Sequence, residues 1–381
     1  MHEKLFCEIE RLSARYLDFL EDICNIESPT NYKAGVDAVG DYCAAVALKR
    51  GWEVEVFEQS TSGDTILITA NSSAVNPPIV LSAHMDTVHP LGTFGTPAVR
   101  RDSENMYGPG VMDCKGGIAA ALLAMEALAN CGFKSRPIKL YLQSDEENSS
   151  VTSGKETVRK MCEISSGAEG FINLEGHISD TAVLVRKGII RYEFTVHGRA
   201  IHSARCAYGA NAIAEAAHKI LELEKMKDVE GLTCNCGVIS GGDAPNSVAE
   251  LCSFTADIRF VDEKQLEEAR SVIKRISEEN VINGCTSEVR EISFRPAMYP
   301  CDRNYGFLKR INEIYQKTGL PILAPRVCVS GSDAAYITEA GVPCVDNLGT
   351  EGGNIHSVRE FVRLGSLSEA AKRVASVIMY I

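Results

Sequence analysis

Three short apolar runs each end in acids or an imidazole, and this repetition constrains the chain more than any other feature. Ile79 to Ala83 is followed by His84-Met85-Asp86, Ile138 to Gln143 by Asp145-Glu146-Glu147 after one serine, and Gly170 to Leu174 by Glu175. Apolar runs of this length bounded by turn residues read as buried strands. The Ala- and Leu-rich stretch Gly117 to Ala129 reads as a buried helix between two of them. Strands alternating with helices argue for an α/β sheet with helices on both faces. In open sheets of this kind ligands bind at the carboxyl ends of the strands. One rim is therefore expected to gather His84, Asp86, Glu146, Glu147 and Glu175. Two glycine-rich segments add Asp113, within Tyr107 to Gly117, and His356, within Gly349 to Ser357.

The rest of the chain frames that rim. Leu5, Ile9, Leu12, Tyr16, Phe19 and Ile23 recur at helical steps, and Val36 to Val46 suggests a second helix ended by Gly51. The style changes near Lys187. Ile189 to Val196 alternates as a half-exposed strand, and a helix follows at Asn211 to Lys225. Strand-like pieces at Thr233 to Ser240 and Leu251 to Val261, a charged helix at Glu263 to Glu279 and a strand at Ser287 to Phe294 complete the series. The order strand, helix, strand, strand, helix, strand is that of the ferredoxin-like split βαβ unit. After Pro296 the α/β style resumes, with helices at Tyr305 to Thr318 and Leu367 to Tyr380. The expected organisation is an α/β/α domain formed by residues 1–187 and 296–381, with an α+β domain inserted at 188–295.

Carboxylates crowded on one rim repel one another unless a cation joins them. Mixed imidazole and carboxylate donors suit one or two zinc ions, with cobalt or manganese as possible substitutes. Asp86 lies two residues from His84, so on an extended segment it would face the same way and accept the imidazole N–H. Glu146 and Glu147 are adjacent and would point oppositely on an extended chain. One could then bind metal while the other serves as general base.

Composition excludes other classes. Lys and Arg total 39 against 51 Asp and Glu, a net charge of −12. So acidic a chain lacks the basic surface that nucleic acids or anionic membranes require. It contains no apolar run of about 18 residues and no uninterrupted leader-like stretch, so a cytoplasmic protein is expected. Its 14 cysteines suit thiols in a reducing compartment. No Gly-x-Ser-x-Gly elbow supports a serine esterase.

Four segments together resemble a known family: His84-Met85-Asp86-Thr87, Gly110-Val111-Met112-Asp113-Cys114-Lys115-Gly116-Gly117, Asp145-Glu146-Glu147 and Gly352-Gly353-Asn354-Ile355-His356-Ser357. They are similar to those of the co-catalytic zinc peptidases, the family of glutamate carboxypeptidase, aminoacylase, acetylornithine deacetylase and succinyl-diaminopimelate desuccinylase. The resemblance runs over essentially the whole chain. It implies that His84, Asp113 and Glu175 hold one zinc and that Asp113, Glu147 and His356 hold the other, with Asp113 bridging. It further implies Glu146 as general base, Asp86 as the residue orienting His84, and a cis peptide bond after Asp113. Glu rather than Asp at position 175 looks more like the carboxypeptidase and deacylase branch than the dipeptidase branch.

In the inserted domain, Gly198 to Ala204 resembles the segment whose histidine, here His202, stabilises the oxyanion, often from a partner subunit. Asn246 and Arg259 resemble residues that bind the substrate carboxylate, and Gly331-Ser332-Asp333 resembles another loop near the substrate, which implies that Ser332 binds the same carboxylate. The resemblance thus implies a homodimer built through the inserted domain, acting on a small peptide or N-acyl amino acid. The reaction would be amide hydrolysis next to a free carboxylate, by a water that two zincs activate. The alternatives are a di- or tripeptidase with the same centre and a metal-binding homologue without activity.

Overall fold

The first helix shows how residue spacing becomes packing. The computed structural model describes residues 2–381. In it Leu5, Ile9, Leu12, Tyr16, Phe19 and Ile23 share the buried side of a helix at His2–Asn25. That face packs on a second helix, Lys115–Asn130, in which every residue from Lys115 to Leu128 is buried. A helix buried on every side, with only Lys115 and Glu126 charged along it, sits inside a domain. A fully buried leucine such as Leu122 contributes about 1.5–3 kcal/mol by leaving water. The final helix, Ser366–Tyr380, covers its other side.

The chain separates into two compact units. The first comprises the residues up to Val185 with Pro300–Val327 and Ser332–Ile381, and the second comprises Arg186–Tyr299 with Cys328–Gly331. Residues 328–331 were expected in the outer domain. They join the second unit because Lys187 N–H donates to the Cys328 carbonyl (3.3 Å) and Arg186 Nη1 donates to the carbonyls of Ser330 (3.3 Å) and Gly331 (3.2 Å).

The main sheet of the first unit uses β1 (Glu53–Phe57), β2 (Thr65–Ala70), β3 (Ile79–His84), β4 (Ile138–Gln143), β5 (Gly170–Asn173) and a short last strand, Cys344–Val345. Their spatial order is β1-β2-β4-β3-β5-last. From β4 onward the pairings are parallel, whereas β1 and β2 are antiparallel additions. The sequence reading included neither β1 nor the last strand. β1 is an edge strand carrying Glu53 and Glu55 with no buried residue, so it has no core pattern to read. A second, four-stranded sheet joins Gly352–Gly353, Phe361–Arg363, Asn105–Tyr107 and Arg100–Arg101. Strands of two or three residues leave no periodicity in a sequence.

The second unit is one antiparallel sheet of β6 (Gly188–His197), β7 (Thr233–Gly241), β8 (Leu251–Phe260) and β9 (Thr286–Arg295), in spatial order β7-β8-β6-β9. β8 alternates buried and half-exposed positions, as a sheet covered on one face must. Helices Ala212–Leu223 and Glu263–Glu278 provide that cover, and Phe194 stacks on Phe254 at 4.7 Å beneath them. Asp262 caps the second helix, accepting Gln265 N–H at 2.9 Å. Among the described residues no helix is long and apolar enough to cross a membrane.

Candidate active site

Because β3, β4 and β5 run parallel, their carboxyl ends open on one edge of the first unit. His84 ends β3, the Glu146-Glu147 pair follows β4, and Glu175 follows β5. Asp113 precedes the buried helix, and His356 lies in the loop between the short strands Gly352–Gly353 and Phe361–Arg363. Two glycines let these pieces approach. A Cβ on Gly117 would stand 2.3 Å from the Leu174 carbonyl oxygen, and one on Gly349 would stand 2.2 Å from it. Gly349 N–H donates to the Glu175 carbonyl at 3.0 Å, which ties the His356 loop to Glu175.

The donor atoms form a chain. His84 Nε2 lies 3.2 Å from Asp113 Oδ1 and 3.8 Å from Glu175 Oε1. His356 Nε2 lies 3.1 Å from Asp113 Oδ2 and 3.3 Å from Glu147 Oε2. Asp113 thus turns one oxygen to each imidazole. Donors sharing a tetrahedral ion at roughly 2.0–2.2 Å stand about 3.3 Å apart, so the spacings suit zinc on either side of that carboxylate. The set of two imidazoles and three carboxylates suits it too. His84 is buried and His356 is half exposed, which leaves an entry from solvent.

Charges at the rim are strongly coupled. Burial would lower His84, but Cys114, Asp113, Asp86 and Glu175 around it hold its ring well above the usual histidine range. Burial would raise Asp113, yet its hydrogen bonds to His356 and His84 keep it far below the usual carboxylate range. Burial pushes Glu147 up to about 8, with Asp113 and Glu146 adding to the rise. Burial, then Asp113 and Glu146, likewise raises Glu175. Hydrogen bonds to Asp113 and Glu147 lift His356 to about 10. Crowding of this kind favours protons on Glu147 and Glu175, which a cation would displace.

Two local expectations are corrected. His84 Nδ1 sits 3.0 Å from the backbone carbonyl of Asp86 and 3.4 Å from its carboxylate, so the carbonyl is the nearer partner. The Asp86 carboxylate instead accepts the Thr30 hydroxyl (2.8 Å) and the amides of Glu146 and Glu147 (3.2 Å each). It therefore pins the Glu-Glu pair as well as lying beside the imidazole. That pair stands on a turn rather than an extended strand, because both its N–H groups converge on one carboxylate. The Asp113–Cys114 peptide is cis. The Cys114 sulfur also belongs to the cluster, within 4.8 Å of donor atoms of His84 and Glu175. Its thiol, pushed up by burial, donates to the Leu174 carbonyl at 3.2 Å. Thr30 and Glu360 serve the site as well and carry no motif. Glu360 accepts backbone N–H groups of the Asp113 loop.

The remaining candidates divide. His202 and Asn246 lie in exposed segments of the second unit, side by side: Ser203 N–H donates to the Asn246 carbonyl at 2.9 Å, and His202 bridges to Ser247. His202 Nδ1 accepts Ala204 N–H at 3.2 Å. Arg259 stands at the other end of β8, where Asp257 holds its Nε at 2.6 Å and its Nη2 at 3.3 Å. It lines a hollow of about 420 Å³ with Lys187, Thr233 and Ser330. Ser332 is a correction. Its hydroxyl is fully buried and engaged by the Asn173 side-chain amide (3.0 Å) and Ala334 N–H (3.2 Å), so it supports the sheet edge and is closed to substrate. His89 and His177 are buried, and His197 and His218 are more exposed.

Comparison with known proteins agrees with this geometry. The sequence profile described as peptidase family M20/M25/M40 matches residues 80–380. Carboxypeptidase G2 of Pseudomonas sp. (strain RS-16) is 24% identical over 366 residues, covering 94% of this chain and 88% of that protein. A tripeptidase from Staphylococcus aureus superposes with a TM-score of 0.79 at 22% identity, covering 96% of this chain and 98% of that one. An M20 family metallo-carboxypeptidase from Sulfolobus solfataricus gives 0.77 at 17% identity, covering 96% and 98%.

Proposed function

The chain belongs to peptidase family M20/M25/M40, and from that premise we propose that this metal-dependent hydrolase cleaves an amide bond next to a free carboxylate. The substrate is a small peptide or an N-acyl amino acid, and the enzyme acts as a carboxypeptidase or deacylase. The observation that carries the proposal is Asp113, whose two oxygens face two different imidazoles 3.2 and 3.1 Å away. That is the arrangement of a carboxylate bridging two ions. The name carboxypeptidase G2, borne by a relative that covers 94% of the chain, supports the carboxylate side of the reading.

Two zinc ions would be held by His84, Asp113 and Glu175 and by Asp113, Glu147 and His356. When bound they supply an acidified water and polarise the scissile carbonyl. Asp86 fixes the Glu146-Glu147 turn through both amides. Glu146 takes the proton of the attacking water and returns it to the leaving amine. His202 donates a hydrogen bond to the developing oxyanion. Arg259 and Asn246 hold the substrate carboxylate, whose planar oxygens match a guanidinium fork.

The spacing of the same residues supports a homodimer through the second unit. Leu251 pairs with His197 at one end of β8 and Arg259 pairs with Ile189 at the other. Eight residues of extended strand span about 27 Å. His202 and Asn246 lie near the first end and Arg259 at the second, a separation that favours a site shared between two copies. Val238 and Ile239, 65% and 53% exposed on the edge strand β7, give such a contact an apolar surface. All fourteen cysteines are free thiols, which suits the cytoplasm.

The test is a substrate series on zinc-loaded protein. N-acyl amino acids and N-blocked dipeptides should be cleaved, and their C-terminal amides should react at least about tenfold more slowly, as loss of a charge-assisted hydrogen bond requires. Equal rates would remove the carboxylate requirement. Cleavage confined to peptides with a free amine would favour a di- or tripeptidase.

A further inference from the structure

Glu360 lies four residues beyond His356 and is almost wholly buried, with a relative exposure of 1%. Its carboxylate is not among the groups that meet His84 or His356; Oε2 lies 3.5 Å from Nε2 of buried His89. Oε2 accepts Gly110 N–H at 3.2 Å, and Oε1 accepts the amides of Met112 (3.0 Å) and Asp113 (3.1 Å). Its backbone is engaged too: the Glu360 carbonyl accepts Gly108 N–H at 3.3 Å, and its N–H donates to the Ser357 carbonyl at 3.0 Å. One residue therefore joins the loop that carries His356 to the loop that carries Asp113, and it grips Asp113 by its own amide. The next residue, Phe361, pairs with Tyr107 and extends the joint into the small sheet.

A buried carboxylate is costly unless hydrogen bonds satisfy it, and charge-assisted bonds to backbone N–H groups are the strong kind. Three such bonds fix the 110–113 segment far more tightly than a glycine-rich loop fixes itself. The segment includes Gly110 at φ +73°, a conformation only glycine adopts freely. Asp113 must aim each oxygen at a different imidazole, so its backbone position decides both halves of the metal centre.

We propose that Glu360 is a positioning residue that sets the affinity of the metal centre by holding the Asp113 backbone to the His356 loop. It touches neither metal nor substrate and acts through Asp113. The proposal rests on the two-ion reading above.

The experiment measures zinc affinity by chelator competition, with circular dichroism as a check on folding, for wild type, Glu360→Gln, Glu360→Asp and a control, Glu126→Gln. Glu126 is also buried and ion-paired, with Arg15 and Arg50, on the helix Lys115–Asn130. Glu360→Gln turns an NH2 toward backbone donors, and its zinc Kd should rise about 10–100-fold. Glu360→Asp keeps the charge but is one methylene short of spanning Gly110 and Asp113, so a rise of about three- to tenfold is expected. Glu126→Gln should lower the melting temperature and leave the zinc Kd within about twofold. Excess zinc should restore the turnover of folded Glu360→Gln with KM unchanged.

A wild-type zinc Kd in a folded Glu360→Gln overturns the inference. If that variant does not fold, a wild-type Kd in Glu360→Asp overturns it instead. An equal loss of affinity in Glu126→Gln would also overturn it, since stability alone would then be responsible. Failure of wild type to bind zinc would strike the two-ion reading itself, which separates the two failures.

Discussion

The two units hold their functional candidates in opposite ways. At the rim of the first unit, His84, Asp86, Asp113 and Glu146 are buried, and most rim side chains touch another. In the second unit, His202 and Asn246 are exposed on loops and Arg259 is partly spent on Asp257. The rim is preorganised by its own unit: Asp86 fixes the Glu-Glu turn, Gly349 ties the His356 loop to Glu175, and Glu360 grips the Asp113 loop. The second unit presents His202 and Asn246 at its own surface. Metal binding should therefore be a property of the first unit, and substrate handling should draw on the second.

Substitutions can break that division, and the largest effect is expected at Asp113. Asp113→Asn keeps the shape but offers one acceptor oxygen in place of two. Bound zinc should fall from two ions to at most one, with turnover at the level of the metal-free protein. Elemental analysis beside a rate assay checks it, and two ions retained would refute the bridge. Glu146→Gln should cost about 10²–10⁴-fold in kcat with zinc content unchanged, because only the proton carrier is lost. In the second unit, His202→Ala should lower kcat by about 10²–10³-fold while zinc affinity stays at the wild-type value. A shift in zinc affinity there would show that the units are not divided as described.

The smallest effect concerns Asp257. Burial would raise its carboxyl, but Arg259 and Arg191 outweigh burial and hold it below the usual carboxylate range. As pH falls, the unfolded chain takes the proton first. The ion pair thus stabilises the fold above the unfolded value near ~4, and that contribution is lost as pH drops through the lower folded value. Asp257→Asn should flatten acid unfolding below about pH 4 by about 1 kcal/mol or less, read from denaturant midpoints at several pH values.

The division also explains what the sequence could reveal. The strands β3 to β5 and the residues after them were legible because burial on both faces and a strand end are local signals. The six-element order of the inserted unit was legible for a different reason, the alternation of buried and half-exposed positions along its strands and the helical spacing between them. β1 lacked a buried face, and the small sheet had strands too short to show a period. The partners of Asp86, the burial of Ser332 and the grip of Glu360 on residues some 250 positions earlier exist only after the chain has folded. Arg259 carried a family resemblance, but its bond to Asp257 two residues away on the same strand became visible only in three dimensions.

Amide hydrolysis should depend on two ions held at the first unit's rim by residues on either side of Asp113. The most direct test strips the metal with a chelator and follows hydrolysis of an N-acyl amino acid as zinc is returned in measured equivalents. Negligible turnover is expected in the stripped protein, with recovery that saturates near two equivalents and no recovery in Asp113→Asn. Full turnover without metal, or saturation at one equivalent with Asp113→Asn equally active, would contradict that dependence.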